Sequence, residues 1–121
     1  MPLNDFYTYK LINTGKNNLQ AEITIDAEHA IYKGHFPEQP ITPGVILVEM
    51  LRFILSENTG ERLMLTSAKE IKFSSPVIPS VEKTINLNVD FEFINEGYKV
   101  SCQFTSGDKT FTKLKGVFSV G

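Results

Sequence analysis

The sequence predicts an α+β fold in which a curved antiparallel β-sheet wraps around one long central α-helix. A single segment, residues 43–58, has helical composition, and its apolar residues cover nearly the whole circumference of the helix. The segments on either side alternate apolar and polar residues as half-buried strands do, with turn residues between them. Because a helix that is apolar all round must be covered on most sides, a sheet that curls around it is the most economical arrangement.

Two strands are predicted before the helix and four after it. Residues 6–12 and 19–25 form a predicted hairpin, since residues 14–18 favour a turn. The four later strands, predicted at 63–73, 85–93, 98–104 and 110–120, are expected to form an antiparallel meander. Within the first of these, Lys69 and Glu70 indicate an irregularity or an exposed edge.

Length and composition limit the class of protein. The 121 residues predict one domain spanning 1–121, and 41% hydrophobic with 21% charged residues is typical of a globular protein. A net charge of −2 without a dense Lys/Arg stripe argues against nucleic-acid binding. The single Cys102 cannot form an intrachain disulfide and lies in an alternating segment, which predicts a buried side chain and a reducing compartment. The first residues lack the pattern of a secretory signal, so we expect a cytoplasmic protein.

A long connection between the second strand and the helix carries the groups most suited to chemistry. Residues 26–42 contain Pro37 and Pro40, which exclude a continuous helix, and they also contain His35. We predict that Thr42 caps the helix with Pro43 at its first position. An imidazole and an isolated carboxyl group, Glu49, are thus joined through a helix N-terminus. These groups suit proton abstraction and leaving-group protonation beside a polarised carbonyl, which predicts an enzyme.

The run Gly34-His35-Phe36-Pro37, followed by Pro40-Ile41, Pro43-Gly44-Val45 and Glu49, resembles the signature of β-hydroxyacyl-(acyl carrier protein) dehydratases of the hotdog fold, the FabZ/FabA type. Residues 71–79 also resemble that family. The resemblance implies the hotdog fold, a dimer with His35 of one chain facing Glu49 of the other, and no metal or redox cofactor.

The resemblance also implies a role for each polar group. His35 is expected to be the general base and Glu49 the general acid, kept partly protonated by apolar helix neighbours. The N–H of Gly44 is expected to bind the thioester oxygen, and the carbonyl of Ile41 to fix the His35 tautomer. Two plainer interpretations stay open: Glu49 pairs with Arg52 three residues on, and Gly44 only relieves crowding after Pro43.

Apolar residues around the motif are candidates for the acyl-chain site, although several suit the core equally well. These are Phe36, Pro37, Ile41, Val45, Phe53 and Phe73, with Ile54, Val77 and Ile78 as further candidates. The expected substrate carrier is an acyl carrier protein bearing a 3-hydroxyacyl phosphopantetheine thioester. Basic residues that suit such a partner are Lys33, Arg52, Lys69 and Lys72.

Two departures from the family pattern favour a specialised member. Phe53 stands where the family commonly has a glutamine one turn after the acid, and Pro79-Ser80-Val81 differs from the usual later turn. Two rival functions stay open. One is a hotdog thioesterase in which Glu49 activates water, and the other is a non-catalytic acyl-binding subunit that serves an active partner.

Overall fold

The computed structural model describes residues 6–29, 41–95 and 97–121. Within them the chain forms six strands and one helix: β1 (Tyr7–Thr14), β2 (Asn18–Ile25), α1 (Gly44–Thr59), β3 (Leu63–Phe73), β4 (Thr84–Ile94), β5 (Gly97–Ser106) and β6 (Lys109–Val120). Every predicted element is present, with each boundary within two residues of its predicted position.

The strands form one antiparallel sheet in the order β1-β2-β4-β5-β6-β3. The predicted four-strand meander is wrong for β3, which pairs with β6 at the far edge and not with β4. The reason is the connection between β3 and β4, which contains Pro76 and Pro79 and is too long for a tight hairpin. It carries the chain back across the sheet, so that β4 lies beside β2.

The core lies between the inner face of this sheet and one face of α1. The helix contributes six residues that are at most 3% exposed: Ile46, Leu47, Met50, Leu51, Ile54 and Leu55. Alternate residues of the central strands face them, among them Ile23, Leu87 and Phe104. Burying each such side chain contributes roughly 1.5–3 kcal/mol, which makes this helix face the main attachment of α1 to the sheet.

The two ends of α1 are formed differently. The predicted N-terminus is wrong by one position: Pro43 is the N-cap, with an extended backbone (φ −60°, ψ 142°), and its side chain makes no capping hydrogen bond. Thr42 instead lies in an isolated bridge, where its N–H donates to the carbonyl of Val77 (2.8 Å). A residue before proline favours extended backbone, which explains this pairing. The C-terminus ends as predicted at Gly60, whose φ of 75° suits glycine.

Strand β3 is an exposed edge with two irregularities. Its register with β6 shifts between Leu65 and Ser67 and again between Ala68 and Glu70, which confirms the irregularity predicted at Lys69-Glu70. At the first shift the carbonyl of Ser67 lies so close to Gly116 that a Cβ there would be 2.4 Å from it. Bulges of this kind bend an edge strand and leave the extra residue outside the hydrogen-bond ladder.

Across the three described ranges, no helix combines the length and the apolar character needed to cross a bilayer.

Candidate active site on the open face of the helix

The predicted site residues divide into two groups. His35, Phe36 and Pro37 lie outside the described residues, as does Lys33. The others lie at or near the N-terminal half of α1 or at the end of β3: Ile41, Gly44, Val45, Glu49, Phe53 and Phe73. Among the further apolar candidates, Ile54 and Val77 are core residues, at 0% and 1% exposed.

A stripe on α1 remains uncovered by the chain's own sheet. Val45 is 69% exposed and Phe53 is 43% exposed, and Glu49 lies between them at four-residue spacing. The prediction that α1 is buried on most sides is therefore wrong for this stripe, which we call the open face (Val45, Glu49, Phe53). The six-stranded sheet curls far enough to bury only the opposite side of the helix. The open face consequently presents one carboxyl group between two exposed apolar side chains.

Glu49 does not have the purely apolar surroundings that the sequence predicts. Arg52 Nε donates to both carboxylate oxygens (3.0 and 2.9 Å), and Arg52 Nη2 lies 2.5 Å from Oε1. Glu49 keeps 37% of its side chain exposed and Arg52 keeps 23%. The ion pair three residues along the helix, which the sequence left open, is the arrangement that forms. The physical reason is that the flexible Arg52 side chain reaches the carboxylate from the next turn.

This pair also changes the properties of Arg52. Its hydrogen bond to Glu49 raises the pKa of the guanidinium, an effect that partial desolvation opposes. Arg52 Nη1 additionally donates to the carbonyl of Leu63 at the start of β3 (3.2 Å). The carboxyl group of Glu49 is thus connected through one side chain to the edge strand.

Gly44 is the first residue of α1, where backbone N–H groups have no partner within the helix and the dipole is positive. A Cβ at this position would lie 2.3 Å from Cε1 of Phe73. A side chain here would therefore press on the Phe73 ring, a contact that the sequence did not predict. Phe73 itself is 56% exposed, so its ring covers the N-terminus of the helix from the solvent side.

Tyr7 is a residue near the site that the sequence did not single out. It lies on β1 at 8% exposed, and burial, followed by the charges of Tyr9 and Glu49, raises the pKa of its phenol far above the ordinary value. The hydroxyl therefore stays protonated at any physiological pH. The available signal was its position in a strand whose alternate residues face the helix, which does not distinguish a site residue from a core residue.

A groove of about 920 Å³ opens elsewhere, on the outer face of the sheet. Its walls include Lys69, Lys99 and Lys115 together with Asp90 and Glu92. No residue of α1 lines it, and its charges are mixed, so we do not assign it to the site. Within the described ranges, no three His, Cys, Asp or Glu side chains come together in a way that suits a metal ion.

Comparison with known proteins identifies the family. The sequence model of the ApeI-like family, described as ApeI dehydratase, matches residues 11–114. Because this match covers most of the chain, the protein belongs to the ApeI-like dehydratase family. The predicted resemblance to FabZ-type dehydratases is thereby confirmed.

Individual relatives agree with this assignment. The 3-hydroxyacyl-(acyl-carrier-protein) dehydratase FabZ of Acinetobacter baylyi is 26% identical over 121 residues, covering 91% of this chain and 80% of that protein. FabZ of Roseiflexus sp. is 34% identical over 73 residues, covering 54% of this chain and 50% of that protein. Several of the relatives therefore match over only about half of their own length.

Solved structures confirm the hotdog fold. The dehydratase heterocomplex ApeI:P from Xenorhabdus doucetiae has a TM-score of 0.71 at 18% identity, covering 93% of this chain and 98% of that one. A hypothetical thioesterase with coenzyme A from Streptococcus pneumoniae has a TM-score of 0.65 at 8% identity, covering 93% and 88%. At such identities the likeness concerns the fold alone.

Proposed function

We propose that this protein dehydrates a 3-hydroxyacyl thioester to the trans-2-enoyl thioester. The observation that carries the proposal is the open face of α1, which places one carboxyl group between two exposed apolar side chains in a chain of the ApeI-like dehydratase family. A carboxyl group in that setting suits a substrate with a polar reacting centre and an apolar acyl chain.

The reaction requires a base, an acid and a group that binds the thioester oxygen. His35 removes the proton from C2, and Glu49 gives a proton to the C3 hydroxyl, which leaves as water. The N–H of Gly44 donates to the thioester oxygen as negative charge develops on it, with support from the positive end of the helix dipole. The role of Gly44 rests on its place in the first turn of α1, and the role of His35 rests on the sequence motif alone.

The acyl chain binds along apolar residues next to these groups. Val45, Phe53 and Phe73 supply exposed apolar surface on α1 and at the end of β3. Ile41, which is half-buried directly before the helix, completes this part of the proposed site together with Phe36 and Pro37. Val45 and Phe53 flank Glu49, so a chain bound along the helix passes the reacting carboxyl group.

The active form is proposed to be a homodimer in which His35 of one protomer faces Glu49 of its partner. Two surfaces support this assembly: the edge strand β3, and the open face with its two exposed apolar residues. Solvated apolar side chains and unpaired strand edges are both costly to leave uncovered. A second protomer would cover them and supply the imidazole.

The proposed carrier of the substrate is an acyl carrier protein, and the proposed setting is fatty-acid biosynthesis in the cytoplasm. The relatives from Acinetobacter baylyi and Roseiflexus are named as acting on carrier-protein substrates. Lys69 and Lys72 on the exposed edge strand supply positive charge for such an acidic partner. The buried, unpaired Cys102 fits a reducing compartment.

The first test is dehydration of 3-hydroxyacyl carrier-protein thioesters of varied length by the purified protein, followed by mass spectrometry for loss of water. We expect His35→Ala and Glu49→Gln each to lower the rate about 100- to 10,000-fold. Glu92→Gln, which changes an exposed carboxyl group on β4, is the matched control and should leave the rate unchanged.

Each alternative function predicts a different outcome of this assay. Release of free thiol without dehydration identifies a thioesterase. No reaction alone, but stimulation of an active partner, identifies a binding subunit. Dehydration that survives both substitutions would show that the reacting groups lie elsewhere.

A further inference from the structure

The side chain of Arg52 is held at both ends of its guanidinium group. Nε and Nη2 contact the carboxylate of Glu49, and Nη1 donates to the carbonyl of Leu63 at 3.2 Å. One attachment is on α1 and the other is at the start of β3. A planar guanidinium fixed in this way cannot rotate without breaking a hydrogen bond, so it holds the plane of the carboxyl group as well.

The two oxygens of Glu49 are not equivalent in this arrangement. Oε1 accepts from both Nε (3.0 Å) and Nη2 (2.5 Å), whereas Oε2 has only the contact with Nε (2.9 Å). A proton on Oε1 would therefore face two donor groups, and a proton on Oε2 would face one. Since a donor facing a proton is repulsive, this geometry favours Oε2 over Oε1 as the oxygen that carries the proton of the neutral acid.

We infer that Arg52 is a positioning residue for the dehydration, which orients the carboxyl group of Glu49 and directs its exchangeable proton to Oε2. The inference rests on the proposed function. In the reaction, the C3–O bond breaks with its electron pair on oxygen, and the Oε2 proton moves to that oxygen to form water. The C2–H bond supplies the electron pair of the new double bond, and its proton goes to the imidazole of His35.

Arg52 assists this transfer because the carboxylate that remains is the species with which a guanidinium pairs best. The guanidinium charge stabilises the carboxylate that forms as the hydroxyl leaves. The neighbouring Tyr7 brings no opposing charge, since its buried phenol stays neutral.

The test compares Arg52→Ala, Arg52→Gln and Arg52→Lys in the full-length protein with the 3-hydroxyacyl carrier-protein substrate. We expect kcat to fall about 10- to 100-fold in the Ala and Gln variants while KM changes less than about 3-fold. Lysine keeps the charge but cannot bind both oxygens as a planar fork, so it should restore little of the loss. Arg62→Ala, which removes the other, exposed arginine, is the control and should keep the wild-type kcat.

Chemical rescue separates positioning from a structural role. Millimolar guanidinium chloride should restore part of the kcat of Arg52→Ala and have no such effect on Glu49→Gln. Arg52→Gln keeps most of the side-chain volume, so it provides the same comparison where the alanine variant does not fold.

Unchanged kcat in folded Arg52 variants, or a kcat loss that guanidinium does not rescue at all, would overturn the inference. The proposed function would still hold in that case, provided that the wild type dehydrates and Glu49→Gln does not. A wild-type protein that fails to dehydrate any substrate would instead refute the proposed function itself.

Discussion

The two faces of α1 have similar apolar side chains but different surroundings. On the inner face, Met50, Leu51 and Ile54 are completely buried against the sheet. On the open face, Val45 and Phe53 are 69% and 43% exposed on either side of Glu49. Apolar residues on the first face stabilise the folded chain, whereas those on the second are available to a substrate or a second protomer. The comparison shows that apolar composition alone does not separate a core residue from a binding residue.

The strongest way to test this contrast is to truncate one residue on each face. Leu51→Ala should lower the free energy of unfolding by about 2–5 kcal/mol, because it leaves a cavity in the core. Phe53→Ala should change the stability of the single protomer by less than about 1 kcal/mol, because its ring is partly solvated.

Chemical denaturation at several protein concentrations distinguishes the two effects. A dimer becomes less stable on dilution, so Phe53→Ala should weaken this concentration dependence while Leu51→Ala should not. Equal losses of stability at every concentration would contradict the division into two faces.

A second prediction concerns the N-terminus of α1, which the Phe73 ring covers. Gly44→Ala should displace the exposed Phe73 ring, since the added Cβ would lie 2.3 Å from Cε1, and should cost about 0.5–1.5 kcal/mol of stability. Phe73→Ala in the same chain removes the clash and should recover most of this cost. Thermal unfolding of the two single variants and the double variant measures the coupling, and strictly additive losses would show that the ring does not press on Gly44.

A third prediction concerns the inner face of the sheet, where the thiol of Cys102 is buried. Burial raises the pKa of the Cys102 thiol to about 12, from an ordinary value of 9.0. The unfolded chain therefore loses this proton first, so the thiol contributes stability below about pH 9 that is lost as the pH rises towards 12. Denaturation between pH 8 and 11 should show a shallower decline for Cys102→Ala. Tyr9, whose pKa is raised to about 12 by burial and by Glu57, should leave part of the slope in place.

Local patterns in the sequence were sufficient to predict the helix and the six strands. Strict alternation predicts β4, and Gly60 predicts the end of α1, because both depend on backbone and side-chain properties of neighbouring residues. The charged pair Lys69-Glu70 likewise predicts the irregular edge strand. The alternation, the helix end and the strand irregularity depend mainly on residues close together in the sequence, so distant residues have little influence on them.

Other features depend on partners far away in the sequence, and these were predicted less well. Thr42 does not cap α1 because it pairs with Val77, and β3 joins β6 because the chain returns across the sheet before β4. Arg52 lies only three residues from Glu49, but its second hydrogen bond reaches the carbonyl of Leu63 on β3, which the local sequence does not indicate.

The sequence by itself determined the elements, the apolar helix and the motif that relates this chain to the dehydratases, because periodicity and motif spacing are properties of neighbouring residues. Only the tertiary structure decided which side of α1 faces solvent, that Phe73 lies against Gly44, and that Arg52 links Glu49 to Leu63. Those relations follow from how far one sheet can curl around one helix, and local sequence does not record that curvature.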